Sequence, residues 1–455
     1  MSPPELEEAR EIARIASAAG GRAYLVGGCV RDIILGETPG DLDMEVYSIP
    51  PAKLENLLAE RYRLDFVGAS FGVFKLHGHS IDVALPRRET RTGPKHGDFE
   101  IEHDEGITLK EAAARRDFTV NAIYMDPLTG EIEDPWGGRD DLEKGFLRHV
   151  SEHFSEDPLR VLRGMQFVAR FNLKPAPETV AECRTMTWKD LPQERVFAEW
   201  TKLLVKGKKI SAGLKFLRDT GWIDAYPELK ALIGCKQDPE WHPEGDVWNH
   251  TLASLDAFAE ERNLPDAEET IIGLAVLCHD FGKPATTRFD KRKNHIRSIG
   301  HDECGVEPAL SFLQRLTNEE RILREVPPLV RYHMRPFAMW KGKSSDGAIR
   351  RLAAKVVRID RLARVASADD GGRPPYPREP EPVKWLLERA EALKIADSAP
   401  KPILLGRDLI ALGMKPSPEF GKILAKCFEA QLDGKFHTRE EALAFLARNI
   451  GRLRK

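Results

Sequence analysis

The sequence contains neither a long apolar run nor regularly spaced cysteine pairs. No apolar run approaches the roughly 18 residues that a membrane span requires, and no basic start precedes an apolar stretch at the N-terminus. We therefore expect neither a membrane span nor a signal peptide. The six cysteines have no Cys-x-x-Cys spacing, which predicts reduced, mostly buried thiols of a cytoplasmic protein.

A strong charge of one sign is also absent, since the formal net charge is -3 over 455 residues. The chain as a whole is therefore not a polyanion-coating protein, and any surface for nucleic acid must be a local patch. Apolar residues make up 42% of the chain, which is enough for sizeable cores. The length is typical of about three domains.

Hydrophobic patterning divides the chain into an α/β part and an all-α part. Strand-like segments alternate with helices up to about residue 145, which predicts a mixed sheet of about five strands. From Asp157 onward, apolar residues recur at helical spacing. The proline-rich stretch 371–382 predicts a linker before a last helical segment.

The most informative segment combines a Gly-Gly turn, an Arg-Asp pair and an Asp-x-Asp pair in one strand-helix-strand unit. Gly27 and Gly28 let backbone N–H groups approach a phosphate, which Arg31 is also predicted to contact. Asp41 and Asp43 alternate along a strand and point to one side, where they can hold two divalent cations for in-line attack on a triphosphate. An ordinary half-buried strand with a polar solvent face is the alternative.

Further residues can complete this site. Asp82, on a later strand, is either a third metal-facing carboxylate or a solvated strand residue. Arg115 and Arg116 can grip a triphosphate and Asp117 can accept a hydrogen bond from a ribose hydroxyl, unless the three form a surface charge run. Asn121 is either a polar ligand of the same site or a turn-capping residue.

Asp157 and Arg160 stand three residues apart, which predicts that they share one helical face. A surface ion pair is the commonest outcome of this spacing. Alternatively, the carboxylate accepts from an exocyclic amine while the guanidinium donates to adjacent ring acceptors. Cytosine and adenine present that edge, whereas guanine and uracil do not. Such a pair would select CTP or ATP without a nucleic-acid template, and Arg163 is placed with it among the predicted nucleotide-binding residues.

Together these motifs resemble those of class II tRNA nucleotidyltransferases, the CCA-adding enzymes, and of the related bacterial poly(A) polymerases. The matching pieces are Gly27-Gly28-x-Val30-Arg31-Asp32, Asp41-x-Asp43, Arg115-Arg116-Asp117, Asp134-Pro-Trp-Gly-Gly138 and Glu156-Asp157-x-x-Arg160. The resemblance implies a nucleotidyltransferase head at 1–145, a helical neck for nucleotide selection and RNA binding at 146–227, a body at 228–375 and a helical tail at 376–455. It implies addition of C, C and A to tRNA 3′ ends from CTP and ATP with Mg²⁺.

Some features depart from the family pattern or leave alternatives open. Gln166 stands where the family usually has arginine, and Trp136 where phenylalanine is commoner. Residues 87–110 match a flexible loop that the family needs for the last adenosine; their length favours full CCA addition, although any long surface loop would look the same. A poly(A) polymerase and an A-only or CC-only enzyme remain alternatives. An HD phosphohydrolase whose head only binds tRNA is an alternative of a different class. The sequence does not predict an oligomeric state.

The second half resembles the HD metal-dependent phosphohydrolase domain. The predicted ligands are His250, His279, Asp280 and Asp369, with His301 and His333 as candidates for a second metal position or as ordinary histidines of a helical surface. Imidazoles and carboxylates suit a first-row transition metal, which would activate water against a phosphate ester. The resemblance implies phosphodiesterase or phosphatase activity on 2′,3′-cyclic or 2′-phosphate ends. A decayed domain that merely supports the body is the alternative.

Overall fold

The computed structural model describes residues 3–65, 72–91, 99–103 and 106–453. The chain divides into two compact units, the first formed by Met1–Leu191 and Lys215–Trp222, the second by Pro192–Leu214 and Ile223–Lys455. The four-part division into head, neck, body and tail stays a prediction.

The first unit contains eleven of the described strands and seven of the described α-helices. The strands are β1 (Arg22–Val26), β2 (Leu42–Tyr47), β3 (Leu64–Asp65), β4 (Val73–Leu76), β5 (Ile81–Ala84), β6 (Arg87–Arg91), β7 (Phe99–His103), β8 (Tyr124–Met125), β9 (Ile132–Glu133), β10 (Phe146–Leu147) and β11 (Lys174–Pro175). The helices are α1 (Pro3–Ala18), α2 (Gly28–Ile34), α3 (Pro51–Ala59), α4 (Leu109–Ala114), α5 (Gly138–Lys144), α6 (Leu159–Phe171) and α7 (Pro177–Thr185). Two 3₁₀ helices lie at Thr119–Asn121 and Glu152–Glu156.

Seven of the described strands form one mixed sheet in the order β3-β4-β5-β2-β1-β8-β9. Strands β2 and β5 are parallel, and the other neighbours are antiparallel. The predicted α/β head with a mixed sheet is therefore confirmed. The sheet has seven strands rather than about five because β8 and β9 are only two residues long, too short for periodicity to reveal.

Strand β2 shows why this sheet can carry a polar site on one face. Leu42, Met44 and Val46 are at most 3% exposed and pack into the core. Because successive side chains of a strand alternate between its faces, Asp43 and Glu45 must lie on the other side. Hydrophobic burial thus fixes the register that presents the carboxylates.

Two-stranded ladders interrupt regions that were predicted as a flexible loop or as helices. Strands β6 and β7 pair antiparallel within the predicted loop 87–110, of which residues 92–98 and 104–105 lie outside the described residues. Strands β10 and β11 pair in the predicted neck. In the predicted body, β12 (Thr287–Asp290) and β13 (His295–Ser298) form a hairpin whose turn includes Asn294 at φ 55°. Asparagine tolerates this left-handed conformation, which closes the turn.

The second unit is otherwise helical. Its helices are α8 (Gln193–Lys206), α10 (Pro227–Lys230), α11 (Val247–Glu260), α12 (Asp266–Cys278), α13 (Lys283–Thr286), α14 (His301–Cys304), α15 (Val306–Leu316), α16 (Glu320–Tyr332), α17 (Arg335–Lys341), α18 (Asp346–Val356), α19 (Ile359–Gly371), α20 (Pro380–Ala392), α21 (Gly406–Ala411), α22 (Glu419–Leu432) and α23 (Arg439–Leu453). Helix α9 (Ile210–Asp219) and a 3₁₀ turn at Trp222–Ala225 span the division between the units.

A buried arginine joins three helices of the second unit. Arg361 on α19 is 2% exposed; its Nε donates to Glu268 Oε2 on α12, and its Nη1 donates to Glu325 Oε2 on α16, both at 2.7 Å. Burial alone would raise the pKa of both carboxyls, but hydrogen bonds from arginines lower it. All three charges are therefore compensated inside the unit.

The cysteines and the helices agree with two of the sequence expectations. All six cysteines are free, and four of them are buried. Among the described residues, no helix has both the length and the apolar character needed to cross a membrane.

Candidate active sites

Three predicted carboxylates lie at one edge of the head sheet. Asp43 on β2 is the register partner of Asp82 on the parallel strand β5, and Asp41 directly precedes β2. All three line one cleft of about 450 Å³. Burial, together with the nearby charges of Asp82 and Asp41, raises the pKa of Asp43, and Arg116 offsets part of this rise. A bound cation would relieve this concentration of negative charge.

The donor atoms of this cleft fit a hard divalent cation. Carboxylate oxygens are the ligands that Mg²⁺ prefers in proteins. Lys75 was missed by the sequence analysis; its Nζ lies 3.3 Å from Asp82 Oδ2 and it lines the same cleft. In sequence it looks like any solvent-facing strand residue, and only the β4–β5 register places it opposite Asp82.

The Gly-Gly turn brings backbone and an arginine together. Gly27 has φ 75° and precedes α2, and a Cβ at this position would lie 2.8 Å from Arg116 Nη1. Arg116 Nη2 donates to Glu45 Oε1 at 2.5 Å, and Nη1 donates to the Asn121 carbonyl oxygen at 3.4 Å. Glycine at position 27 is thus required both by the backbone conformation and by the close approach of Arg116.

Arg31 lies among protein partners. It is 3% exposed, and its Nε and Nη2 donate to Asp32 Oδ1 at 2.9 and 2.6 Å. Its Nη1 donates to Asn121 Oδ1 at 2.5 Å, and its guanidinium stacks over the Phe171 ring at 4.3 Å. Burial and these partners direct the guanidinium into the fold, and the phosphate contact of Arg31 stays a prediction.

Asp117 is likewise held by protein groups. Its Oδ1 accepts from Asn121 Nδ2 at 2.9 Å and from the Phe118 N–H at 2.8 Å, and its Oδ2 accepts from Arg163 Nε at 2.7 Å. Burial would raise the pKa of Asp117, but Arg163 and the hydrogen bonds lower it. Both oxygens accept hydrogen bonds from protein groups and the residue is 7% exposed, and the ribose contact of Asp117 stays a prediction.

These contacts form a continuous hydrogen-bonded chain, which we call the relay: Arg31, Asn121, Asp117 and Arg163. Its first member belongs to α2, next to the Gly-Gly turn, and its last belongs to α6. Asn121 neither caps a turn through its side chain nor points freely into the cleft. Its amide links the two arginine-bearing helices.

The predicted base-selecting residues lie at the beginning of α6. The helix begins at Leu159, so Asp157 precedes it in an extended conformation and does not share a helical face with Arg160, contrary to the prediction. Asp157 Oδ1 accepts from the Leu159 N–H at 3.1 Å. Pro158 between them explains the difference, because the residue before a proline is disfavoured in helical conformation.

Arg160 is fixed by two backbone carbonyl groups. Its Nη1 donates to the His153 oxygen at 2.6 Å and its Nη2 to the Arg115 oxygen at 2.5 Å. Arg115 in turn donates from Nη2 to Glu156 Oε2 at 2.6 Å. The structure thus brings Arg115, Asp157 and Arg160 together and gives the Arg160 guanidinium a defined orientation.

In the second unit, the six predicted HD residues form one cluster. Two groups of ligand atoms each lie within 4.8 Å of one another: His250, His279 and Asp369, and Asp280, His301 and His333. His250 Nε2 is 2.9 Å from Asp369 Oδ1 and 3.3 Å from His279 Nε2. We call these six residues the HD cluster.

Asp280 lies between the two groups. Its Oδ2 is 3.3 Å from His279 Nε2, and its Oδ1 is 3.5 Å from His301 Nε2. Lys283 Nζ approaches Oδ2 to 2.7 Å, yet neither oxygen accepts a hydrogen bond of good geometry although the carboxylate is 1% exposed. Buried carboxylate oxygens are normally satisfied, so Asp280 and the surrounding imidazoles would suit one or two divalent cations.

The far ring nitrogens of the histidines are anchored. Nδ1 of His279, His301 and His333 each meets a backbone carbonyl oxygen at 2.7–2.8 Å. His250 Nδ1 lies 2.8 Å from Glu244 Oε1. Such contacts orient Nε2 toward a metal. Burial also lowers the pKa of His333 to about 4, which keeps it in the neutral, metal-binding form.

Two supporting residues of this cluster were not predicted. Glu244 orients His250, and it lies six residues before that histidine in the sequence. Lys283 closes the His-Asp-Phe-Gly-Lys stretch, but its approach to Asp280 follows from the helical turn that joins them. Lys283 lines a cavity of about 560 Å³, here called the HD cavity.

Comparison with known proteins identifies relatives over most of the chain. Residues 23–148 match the family described as the Poly A polymerase head domain. The Multifunctional CCA protein of Xanthomonas campestris pv. campestris is 36% identical over 426 residues, which covers 89% of this chain and 96% of that protein. The Multifunctional CCA protein of Nitrosococcus oceani is 35% identical and covers 86% and 93% of the two chains.

Solved structures share the fold. The CCA-adding enzyme of Bacillus stearothermophilus in complex with CTP gives a TM-score of 0.65 at 23% identity and covers 99% of both chains. The Thermotoga maritima CCA-adding enzyme complexed with tRNA gives a TM-score of 0.59 at 18% identity, covering 99% of this chain and 96% of that one. With curated relatives this similar over nearly its whole length, the chain belongs to the family of the multifunctional CCA proteins, the class II tRNA nucleotidyltransferases.

Proposed function

We propose that this protein adds CMP, CMP and AMP to the 3′ end of tRNA, using CTP and ATP and no nucleic-acid template. The observation that carries the proposal is the carboxylate edge of the head sheet, where Asp43 and Asp82 are register partners and Asp41 lines the same cleft. The family membership agrees with this reaction, and it extends well beyond the head.

The roles of the residues follow from their positions. Asp41, Asp43 and Asp82 would hold Mg²⁺, which when bound supplies charge neutralisation at the triphosphate and activates the attacking hydroxyl. Arg115 and the Gly28 turn supply positive charge and backbone donors for phosphate.

Base selection is assigned to the region where α6 begins. Asp157 accepts from the exocyclic amine, and Arg160 donates to the neighbouring ring acceptor. Arg31, Asn121, Asp117 and Arg163 act as positioning residues through the relay.

A poly(A) polymerase is the runner-up, because the head family is described by that activity. The head alone does not distinguish the two reactions, since both need the same metals and triphosphate. The curated relatives that match over most of the chain are CCA proteins, which favours CCA addition. The loop that is linked to addition of the last adenosine includes residues 92–98 and 104–105, which lie outside the described residues. An incorporation experiment is therefore needed to distinguish full CCA addition from addition of CC alone.

Incorporation assays distinguish these reactions. Purified protein receives tRNA that ends before, within or after CCA, together with each labelled nucleoside triphosphate. We expect both CMP and AMP to be incorporated, with termination after one A. An unlimited A tract would indicate a poly(A) polymerase, and CMP alone a CC-only enzyme. Asp43→Asn should abolish transfer, whereas Glu60→Gln, an exposed carboxylate outside the cleft, should not.

A second activity, hydrolysis of phosphate esters, is proposed for the HD cluster. The supporting observation is Asp280, a buried carboxylate with neither oxygen hydrogen-bonded, set between two pairs of imidazoles. A transition metal bound there supplies a hydroxide at neutral pH. Lys283 would hold the phosphate near Asp280, and the substrates would be 2′,3′-cyclic or 2′-phosphate ends.

Metal analysis and a phosphodiesterase assay test this second activity. Wild-type protein should contain a transition metal and hydrolyse bis(p-nitrophenyl) phosphate. The His279→Ala/Asp280→Ala variant should lose both properties while retaining CMP and AMP transfer. Wild-type protein without metal and without hydrolysis would leave the HD cluster a structural remnant, and the head reaction would be unaffected by that result.

A further inference from the structure

A second cavity of about 700 Å³ lies in the same unit as the HD cavity. It is formed by the end of α17, the loop that follows and a face of α20. We call it the tryptophan groove. Its lining includes Trp340, Trp385, Lys341, Lys343 and Arg389.

The groove combines two indoles in one open depression. Trp340 is 42% exposed, and Trp385 is partly exposed on the facing helix. The solvent-exposed part of an indole adds no hydrophobic stabilisation to the fold. Its flat face can, however, stack on a nucleobase of any identity. The pair therefore fits a flat aromatic ligand.

The positive charge of the groove favours a ligand with several negative charges. Among the described residues, no carboxylate pairs with Lys341 or Lys343, while Arg389 pairs with Asp346. Two uncompensated ammonium groups beside two indoles match alternating bases and phosphates. An apolar protein segment would leave both lysines without a counter-charge.

The groove adjoins the HD cavity, because Lys341 lines both. Trp241, 58% exposed, lines the HD cavity as well. We propose that the tryptophan groove binds the unpaired nucleotide that precedes the terminal one of an RNA 3′ end, while the terminal phosphate lies at the HD cluster. The identity of that terminal phosphate rests on the proposed hydrolase activity; the binding of the preceding nucleotide does not.

The test compares a substrate that reaches the groove with one that does not. The long substrate is the trinucleotide CpCpC with a 2′,3′-cyclic phosphate end, and the short one is 2′,3′-cyclic CMP. The full chain is assayed for hydrolysis of both, and for binding of the 5′-fluorescein trinucleotide by polarisation with and without EDTA.

Substitutions in the groove should affect only the long substrate. Trp340→Ala should raise its KM and its Kd about tenfold, a loss within the range of one stacked base. Trp340→Phe, which keeps an aromatic face, should stay within about twofold, and Lys343→Ala should weaken binding and reduce its salt dependence. Lys206→Ala, an exposed lysine on α8 outside the groove, is the matched control.

The outcomes separate this site from the hydrolase. Unchanged trinucleotide binding in both Trp340→Ala and Lys343→Ala would overturn the proposal. An equal loss of activity on the short substrate would also overturn it, since the indole would then act through the fold. If wild-type protein hydrolyses neither substrate but binds the trinucleotide in a Trp340-dependent way, the groove is supported and the hydrolase fails.

Discussion

Replacing Arg160 tests how this protein chooses its nucleotide. The guanidinium is held by the carbonyl oxygens of His153 and Arg115, so its remaining donors have a fixed direction. A well-oriented pair of hydrogen bonds to a base edge discriminates by about 1–3 kcal/mol, or about 5- to 150-fold in kcat/KM. We expect Arg160→Ala to lower the preference for CTP over UTP by a factor in this range.

The complementary change at Asp157 has a predictable sign. Asp157→Asn exchanges one acceptor oxygen for a donor amino group of nearly the same shape. Uracil presents an acceptor where cytosine presents an amine, so UTP should gain and CTP should lose. The two substitutions should not add, because both residues address the same base.

The assay is incorporation of a single nucleotide into tRNA that lacks its CCA end, with each triphosphate supplied separately. Arg184→Ala is the matched control, since Arg184 also donates to a backbone carbonyl, that of Asp219, at 2.9 Å but lies outside the selection region. Thermal unfolding shows whether loss of the two Arg160 contacts has disturbed the fold, at a cost of up to about 1.5–3 kcal/mol for each. An unchanged ratio of CTP to UTP in folded Arg160→Ala protein would refute the proposed selection.

Three further substitutions probe the supporting structure. Arg361→Ala should lower the free energy of unfolding by about 1.5–3 kcal/mol in urea titrations, because it removes charged hydrogen bonds from Glu268 and Glu325, which keep other arginines as partners; a loss below about 0.5 kcal/mol would contradict this account. Asp117 has a lowered pKa in the folded protein, so its stabilisation is present above the ordinary value of about 3.9 and is lost as the pH falls through the folded value. Asp117→Asn should therefore flatten the decline of stability as the pH falls below about 4, and an equally steep decline would show that the pair with Arg163 contributes little. Glu244→Ala should weaken metal binding at the HD cluster by about 10- to 100-fold through loss of the contact to His250, as measured by metal titration, and unchanged affinity would remove Glu244 from the site.

Patterning predicted those elements that are long enough to have a period. Strands β1 and β2 have such signals: β1 is a continuous apolar run, and apolar and acidic side chains alternate along β2. The two-residue strands β8, β9, β10 and β11 were missed because they are too short, and the β12–β13 hairpin was missed because polar residues such as Arg288 and Arg297 form most of its pairs. Pairing with a neighbour, rather than local sequence, makes these segments extended.

The same distinction applies to the sites: positions set by a local pattern were predicted, whereas contacts between distant parts of the chain were not. The meeting of Asp43 with Asp82 was anticipated because both side chains lie on predictable strands. The hydrogen bonds of Arg31 and Asp117 were not anticipated, because their partners Asn121 and Arg163 come from other parts of the chain. A single sequence shows that a residue is charged, but it does not show which residue of the folded chain pairs with that charge.

The relay also constrains what can stand at position 121. Its side chain must accept a hydrogen bond from Arg31 and donate one to Asp117. Aspartate has no donor, and leucine has neither group, while glutamine extends the amide by a methylene in a site that is 5% exposed. A protein engineer who wishes to alter nucleotide choice can therefore substitute Asp157 and Arg160. Almost no substitution is tolerated at Asn121, because its side chain must supply both an acceptor and a donor in fixed directions.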